Sequence, residues 1–146
     1  SLGLRDHVER HFGFSQVIGG DYAALELLPV VQGRDNTELT KAAVARLLDE
    51  HPDLVGLYNV GGGTRGFGAA IEESGRAHDL VVIAHELTDP ARRYLLRGLF
   101  DAVINQNAGH EARSAARVLL AHCLGEPIIA EQEQIRIDIF LRDNLP

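Results

Sequence analysis

Apolar residues along the chain recur at two alternating spacings, which predict helices and strands in turn. Segments with an apolar residue every three or four positions are expected to be helical: 4–13 (ending at Gly13), 36–51, 64–75, 88–100 and 110–125. Segments with continuous or two-residue apolar spacing are expected to be strands: 24–33, 54–60, 79–86, 101–107 and 134–143. Single helices between strands are typical of a parallel sheet with helices on both faces, so the sequence predicts an α/β fold of that kind.

Two of the predicted strands differ from the others in composition. The strand at 24–33 contains Pro29, which cannot donate a ladder hydrogen bond and so indicates an edge or an irregular segment. The last strand places Ile135, Ile137 and Ile139 between polar neighbours, which predicts an edge strand with one solvated face. The strand around 80–84 is continuously apolar and is expected to be buried on both faces.

The helix predicted at 36–51 carries both an end signal and an apolar face. Asn36 or Thr37 can cap its first turn. Leu39, Ala43 and Leu47 recur at helical spacing, so these residues are expected to share the buried face.

Length and charge limit the functions that this chain can have. With 146 residues and 45% apolar content, the chain is long enough for one domain with its own core. The net charge of −7 argues against a nucleic-acid surface on this part of the protein, because phosphate binding needs a basic face. It contains no apolar run of the length that a membrane helix needs. It begins with Ser and contains no Met, so it is expected to be either a processed chain or, as the favoured interpretation, a piece of a longer protein.

Cysteine and histidine usage predicts neither a disulfide nor a metal site. Cys123 is the one cysteine, and its place in an apolar helical stripe with Val118 and Leu119 predicts a core thiol. The seven His residues lack the short spacings of metal ligands. No metal or cofactor is therefore expected, and a lone cysteine suits a reducing, cytoplasmic location.

Polar residues follow the predicted strands at the point where each strand ends. In open parallel sheets, ligands bind beyond the carboxyl ends of the strands. Four successive predicted strands end in polar groups: Arg34 and Asp35, then Asn59, then His85 and Glu86, then Asn105 and Gln106. Any one of them could be a simple helix cap or loop residue. As a set, amides, carboxylates and arginine match the donors and acceptors of hydroxyl groups, which favours a neutral, hydroxyl-rich ligand over a phosphate.

The glycine-rich stretch at 61–66 offers an alternative ligand. It has the G-x-G-x-x-G spacing between a strand and a helix, with Glu86 about 20 residues beyond it, as in dinucleotide-binding loops. A nucleotide-dependent enzyme is therefore a further hypothesis. The polar Asn59 just before the glycines argues against it, so the first glycines are interpreted as a tight turn, and Gly66 and Gly68 as points of close helix packing. No catalytic motif is found, and the chain is predicted not to be an enzyme.

Six motifs, in order along almost the whole chain, resemble one bacterial family. They are RDHVERHFGF, PVVQGRDNTE, HPDLVGLYNVGGGTRG, VVIAHELTD, DAVINQN and IRIDIFLRDNLP. These motifs resemble the effector-binding domain of LacI/GalR-type transcription regulators, whose fold is shared with type I periplasmic sugar-binding proteins. The resemblance implies a two-lobed receptor with a sugar or polyol between its lobes. Residues 1–146 would be mostly the C-terminal lobe, without the N-terminal helix-turn-helix and most of the N-terminal lobe.

The resemblance also implies ligand contacts at individual positions. Arg10 matches the family's sugar-binding arginine on the first helix of the lobe. Asn59 matches the asparagine at a strand end, although Val60 replaces the aspartate that usually follows it. Glu86 stands where an aspartate is common, and His85 stands at a position that is often aromatic.

Two further positions complete the set that the resemblance implies. Gln106 matches the glutamine or aspartate of the crossover that follows DAVI. Asp35 lies near a position that often holds a ring-stacking aromatic residue, and its carboxylate argues against simple stacking on a pyranose. Of all these residues, Arg10 is identified by the resemblance alone.

Two functional hypotheses follow from the resemblance. The first is a cytoplasmic, homodimeric LacI-type regulator, whose effector shifts lobe closure and thereby operator binding through a domain absent from this chain. The alternative is a solute-binding protein of a transport or sensing system, with the same pocket and no DNA-binding head.

The helix at 111–124 is expected to lack its usual cover. In the family fold this helix packs on the other lobe, and here Ala115, Val118, Leu119 and Cys123 form its apolar face. The helix is predicted to repack on its own sheet or to exchange with a second chain, which would give a dimer.

Overall fold

The computed structural model describes residues 3–146, which form alternating helices and strands. In chain order, these elements are α1 (Arg5–Asp21), α2 (Thr37–Glu50), β1 (Gly56–Tyr58), α3 (Thr64–Ser74), β2 (Val81–His85), α4 (Asp89–Leu96), β3 (Ala102–Gln106), α5 (Ala108–Leu124), α6 (Ala130–Glu133) and β4 (Ile137–Phe140). Short 3-10 turns lie at Ala77–Asp79 and Arg142–Asn144. The predicted order of elements is confirmed from α2 onwards.

The described strands form one sheet in the order β1–β2–β3–β4. β1, β2 and β3 are parallel, as the sequence predicts, whereas β4 is antiparallel to β3 and begins with Ile137 opposite Gln106. β4 runs opposite to β3 because the connection between the two strands begins and ends at the carboxyl end of β3. α5 takes the chain away from that end, and the segment 125–136 returns it there before β4 begins. The fold is therefore α/β with a mixed, mostly parallel sheet.

One face of the sheet forms the hydrophobic core. Val82, Ala84 and Val103 are fully buried on this face, where Ala84 and Val103 are register partners. Ile71 of α3 and Leu95 of α4 are buried in the same cluster. Burial of each of the larger of these side chains stabilises the fold by about 1.5–3 kcal/mol.

Two glycines of α3 allow its neighbours to approach closely. A Cβ at Gly66 would lie 2.0 Å from the carbonyl oxygen of Thr37, and one at Gly68 would lie 2.2 Å from the Tyr94 ring. These distances are shorter than any non-bonded contact, so larger residues would push α2 and α4 away. The predicted role of both glycines in close packing is confirmed.

α2 turns a different face to the core from the one predicted. Asn36 caps the helix as expected, since its side chain accepts a hydrogen bond from the Leu39 amide. Val44 and Leu48 are the buried residues of the helix, and Leu39 is exposed. Ala43 and Leu47 of the predicted face are half-buried, so the prediction is wrong for Leu39 only. The most buried stripe is displaced by one residue because α2 packs on α3.

α1 continues well beyond Gly13, where the sequence predicts that it ends. Glycine inside a helix costs about 1 kcal/mol relative to alanine, which nearby packing can offset. Here Phe14 contacts the ring of Tyr58, with 4.7 Å between ring centroids, and Ile18 is half-buried one turn later. These contacts account for the longer helix.

The segment 24–33 has no regular secondary structure and does not form the predicted strand. The backbone hydrogen bonds that connect it to the rest of the structure do not include any to β1, and Leu27, Val30 and Val31 are exposed. Pro29, which cannot donate a backbone hydrogen bond, lies in the middle of the segment. The prediction of an irregular segment is confirmed, and that of a sheet strand is wrong.

Apolar residues of β4 and α5 are exposed. β4 lies at the sheet edge as predicted, but Ile137 and Ile139 point to solvent and Phe140 is the residue that joins the core. On α5, Leu119 is exposed and so is Cys123, so the prediction of a core thiol is wrong. The predicted repacking or exchange of α5, and the dimer that it would give, stay predictions.

Arg76 holds the end of α2 and the turn that leads to β1. Its guanidinium donates hydrogen bonds to the carbonyl oxygens of Leu48, His51, Pro52 and Leu54, at 2.8 to 3.1 Å. The last carbonyls of a helix lack intrahelical partners, so this single side chain satisfies groups that would otherwise need water.

We expect Arg76→Met to lower the free energy of unfolding by about 2–3 kcal/mol, because several partly buried carbonyls lose a charged donor. Urea denaturation would measure the change. Arg46→Met is the matched control, since the Arg46–Glu50 pair is exposed and should contribute less than about 0.5 kcal/mol. Equal stability of the two variants would contradict this role of Arg76.

Candidate ligand-binding site

The carboxyl ends of β1, β2 and β3 lie on one side of the sheet, near one end of α1; we call this side the carboxyl edge. These strands end at Tyr58, His85 and Gln106. Because parallel strands all end on the same side, the polar residues that follow them lie along this carboxyl edge. Arg10 reaches the same edge from α1.

Arg10 contacts the ends of two strands at once. Its Nη1 donates to the carbonyl oxygen of Val60 at 2.8 Å, and its Nη2 lies 3.4 Å from Glu86 Oε1 and 3.6 Å from Asp6 Oδ2. The Arg10 side chain is 13% exposed, so its charge is balanced mainly by these neighbours. A guanidinium has five N–H donors, which leaves capacity for further hydrogen bonds to a ligand.

Asn59 shapes the glycine loop that follows β1. Its Oδ1 accepts the Gly61 amide hydrogen bond at 3.0 Å, and its Nδ2 donates to the Gly62 carbonyl oxygen at 3.0 Å. Gly61, Gly62 and Gly63 all have positive φ, which side chains rarely tolerate. The prediction of a tight glycine turn is confirmed, and the turn presents Asn59 at the carboxyl edge.

The same loop is poorly suited to a phosphate. The Gly61 amide, which a phosphate would need, already donates to Asn59. The carboxylate of Asp35 lies so close to Gly62 that a Cβ there would overlap its Oδ1. A negative charge at this point would repel a phosphate, which weighs against the nucleotide hypothesis.

Glu86 stands in a strained turn at the end of β2. Its φ is +65°, a left-handed conformation that is costly for a residue other than glycine. Hydrogen bonds fix the turn: the Glu86 amide donates to the Ile104 carbonyl oxygen at 2.8 Å, and the Leu87 amide donates to Asn105 Oδ1 at 2.9 Å. Asn105, predicted as a strand-end polar group, therefore supports the turn that carries Glu86.

Two openings flank this part of the edge. A crevice of about 250 Å³ between β1 and the segment 26–35 is lined in part by Asp35 and Asn59. An open depression of about 490 Å³ beyond β2 and β3 is lined in part by Glu86 and Gln106. Arg10, through its contacts with Val60 and Glu86, lies between the residues of the two openings.

Within residues 3–146, neither a cluster of metal-ligating side chains nor a membrane-spanning helix is found. His, Cys, Asp and Glu side chains do not gather there in groups of three or more that could hold a metal ion. None of the helices in that range is both long and apolar enough to cross a bilayer.

A comparison of the sequence with models of known protein families shows which family the chain belongs to. The model of the family described as "Periplasmic binding protein domain" matches residues 1–127. The chain belongs to this family. No curated protein matches the chain.

Solved structures with the same fold include several sugar-binding proteins. A sugar-binding protein of a sugar ABC transporter from Bacillus halodurans has a TM-score of 0.84 and 22% identity, covering 98% of this chain and 53% of the other. A glucose-galactose binding protein from Geobacillus stearothermophilus has a TM-score of 0.82 and 16% identity, covering 94% and 49%. An ABC transporter solute binding protein from Agrobacterium vitis, with bound D-fucose, has a TM-score of 0.82 and 19% identity, covering 94% and 47%.

These similarities show the fold, and this chain spans about half the length of each of those structures. The periplasmic-binding-protein-like fold that the resemblance implies is confirmed. Of the three solved structures named above, two are described as binding proteins of ABC transporters and one as a glucose-galactose binding protein, and none as a LacI/GalR-type regulator. Membership of the regulator family is therefore not shown.

This periplasmic binding protein domain brings most of the predicted ligand contacts to one edge. Arg10 contacts Glu86 directly, and Asn59 adjoins Val60, whose carbonyl Arg10 binds. Gln106 shares the open depression with Glu86, and Asp35 lies beside the glycine loop. Their contact with a ligand stays a prediction.

His85 differs from the other predicted contacts because it is buried. It is 5% exposed, and its Nε2 lies 2.6 Å from the Tyr58 hydroxyl. Burial, and then the charges of Arg10 and His7, lower the pKa of His85 from 6.5 to about 4. His85 is therefore neutral near pH 7, and the structure places it below the carboxyl edge rather than on it.

We expect the buried imidazole to make the domain less stable in mild acid. The unfolded chain protonates His85 below about pH 6.5 and the folded chain below about pH 4, so unfolding takes up a proton between these values. The free energy of unfolding should fall as the pH drops through this window, by up to about 3 kcal/mol. Urea denaturation between pH 7 and pH 4 would measure it.

His85→Gln should remove this part of the pH dependence. His122→Gln, a change at an exposed position on α5, should leave the wild-type pH dependence intact and serves as the control. Identical slopes for wild type and His85→Gln would show that the His85 pKa is not lowered.

Proposed function

We propose that this chain is a ligand-binding lobe of a sugar-binding protein that serves a transport system. The observation that carries the proposal is the placement of Arg10, Asn59 and Glu86 at one edge, with Arg10 contacting both strand ends. The fold is that of a sugar-binding protein of a sugar ABC transporter, which supports the same proposal.

The chemistry of this edge suits hydroxyl groups. A sugar hydroxyl donates one hydrogen bond and accepts two, so it pairs well with a carboxylate on one side and an amide or guanidinium on the other. Glu86 supplies the acceptor, Arg10 supplies donors, and Asn59 and Gln106 supply both. Donors and acceptors of this kind, held in place by neighbouring hydrogen bonds, are what a site for polar ligands requires.

Neighbouring structures support a monosaccharide-sized ligand. The Agrobacterium vitis protein holds D-fucose, and a carbohydrate-binding protein from Agrobacterium radiobacter is in complex with D-arabinose. Each of these structures covers 94% of this chain. We therefore take D-fucose and D-arabinose as the first probes.

A LacI-type regulator is the second candidate, favoured by the motifs that place a sugar-binding arginine at Arg10. It would be cytoplasmic and dimeric, and it would bind operator DNA through a separate domain. The reading frame upstream of Ser1 separates the candidates: a secretory signal supports the transport protein, and a helix-turn-helix supports the regulator.

We expect Arg10→Met to weaken sugar binding by about 10- to 100-fold, because a charged donor is lost. The measurement is isothermal titration calorimetry of the full-length protein, encoded by the complete reading frame, with D-fucose, D-arabinose and related monosaccharides. Arg5→Met is the matched control: Arg5 lies on the same helix and pairs with Glu9 on the exposed surface. Binding of one of these sugars that Arg10→Met leaves unchanged would contradict the proposed site.

A further inference from the structure

A chain of three buried or half-buried rings joins α1 to β1 and β2. The Phe14 and Tyr58 ring centroids lie 4.7 Å apart, and those of Tyr58 and His85 lie 5.5 Å apart. The Tyr58 hydroxyl lies 2.6 Å from His85 Nε2, so the last two rings are also hydrogen-bonded. We refer to Phe14, Tyr58 and His85 as the aromatic ladder.

The ladder lies directly behind the proposed sugar contacts. Tyr58 immediately precedes Asn59, and His85 immediately precedes Glu86. The register of β1 and β2 places Tyr58 and His85 on the same face of the sheet, since Tyr58 pairs with Ile83. Any movement of the ladder therefore moves the strand ends that present Asn59 and Glu86.

The ladder is also a main attachment of α1. Phe12 and Val17 are more than half exposed, so much of the helix surface does not contact the sheet. Phe14 lies one helical turn after Arg10, the distance at which two side chains share a helix face. The contact of Phe14 with Tyr58 thus fixes the same helix face from which Arg10 reaches the carboxyl edge.

The Arg10 charge lies close enough to act on the ladder. Burial raises the pKa of the Tyr58 hydroxyl, and the Arg10 guanidinium opposes part of that rise. Because His85 is neutral near pH 7, it does not repel the positive charge of Arg10. The Tyr58–His85 pair is therefore hydrogen-bonded and uncharged near pH 7, and it lies close enough to Arg10 to be influenced by the guanidinium charge.

We propose that Tyr58 and His85 are positioning residues, which hold Arg10 and the strand ends in the arrangement that binds the sugar. The inference rests on the proposed function, and it adds to it two residues that act through others. Tyr58 and His85 need not touch the ligand. Their hydrogen bond sets the depth at which Phe14, and with it α1, rests on the sheet.

Tyr58→Phe tests the proposal with a minimal change, because it removes the hydroxyl and keeps the ring that contacts Phe14. Tyr94→Phe is the control: its hydroxyl donates to the Arg65 carbonyl oxygen at 3.1 Å, away from the carboxyl edge. Both variants lose one tyrosine hydrogen bond, so a general loss of stability would affect them alike. Thermal unfolding would verify that both fold.

Two measurements separate positioning from sugar binding. Without any sugar, the Arg10 Nε–H resonance and its heteronuclear NOE should change in Tyr58→Phe and stay as in wild type in Tyr94→Phe. With D-fucose or D-arabinose, whichever the wild type binds, Tyr58→Phe should bind about tenfold more weakly and Tyr94→Phe equally well. Isothermal titration calorimetry of the full-length protein would give the affinities.

The outcomes distinguish the two ideas. An unchanged Arg10 resonance in Tyr58→Phe overturns the positioning role, whether or not a sugar binds. If the Arg10 resonance changes in Tyr58→Phe but the wild type binds neither sugar, the positioning role is supported and the proposed function is contradicted for these sugars. Unchanged affinity in Tyr58→Phe, in a protein that does bind, overturns the role of the ladder in recognition.

Discussion

The contact of Arg10 with the ends of β1 and β2 is the interaction on which the site depends. The guanidinium binds the Val60 carbonyl and lies beside Glu86, so it joins α1 to the ends of β1 and β2. The glycine turn after Asn59 leaves space for α1 side chains: a Cβ at Gly61 would lie 2.9 Å from His7 Nε2 and 3.3 Å from Arg10 Nη1. Gly61 therefore makes room for Arg10 and His7, and the loop does not form a phosphate site.

Periodicity identified the layout of the domain because it reports which residues must be buried. Continuous apolar runs predicted the parallel strands, and the carboxyl-edge rule then placed Asn59, Glu86 and Gln106 along one edge. Arg10 could not be found this way, since a charged residue on an amphipathic helix has no pattern of its own. It was identified by resemblance to a family.

The features that the sequence missed depend on contacts between elements. Leu39 fits a helical stripe, yet α2 packs on α3 and exposes it. His85 follows a strand as a ligand contact would, yet its hydrogen bond with Tyr58 draws it into the interior. Glu86 adopts a left-handed turn that its side chain does not favour, because Asn105 and the neighbouring strand hold the backbone there.

Chemical-shift mapping of sugar binding on the ¹⁵N-labelled protein tests the central claim most directly. Addition of D-fucose or D-arabinose should shift the backbone amides at and next to Arg10, Asn59, Glu86 and Gln106, and the Arg10 Nε–H, in a saturable way. The amides of the core face, such as those around Ile71, should stay in place. Saturable shifts that fall elsewhere and leave the carboxyl edge unchanged would contradict the account.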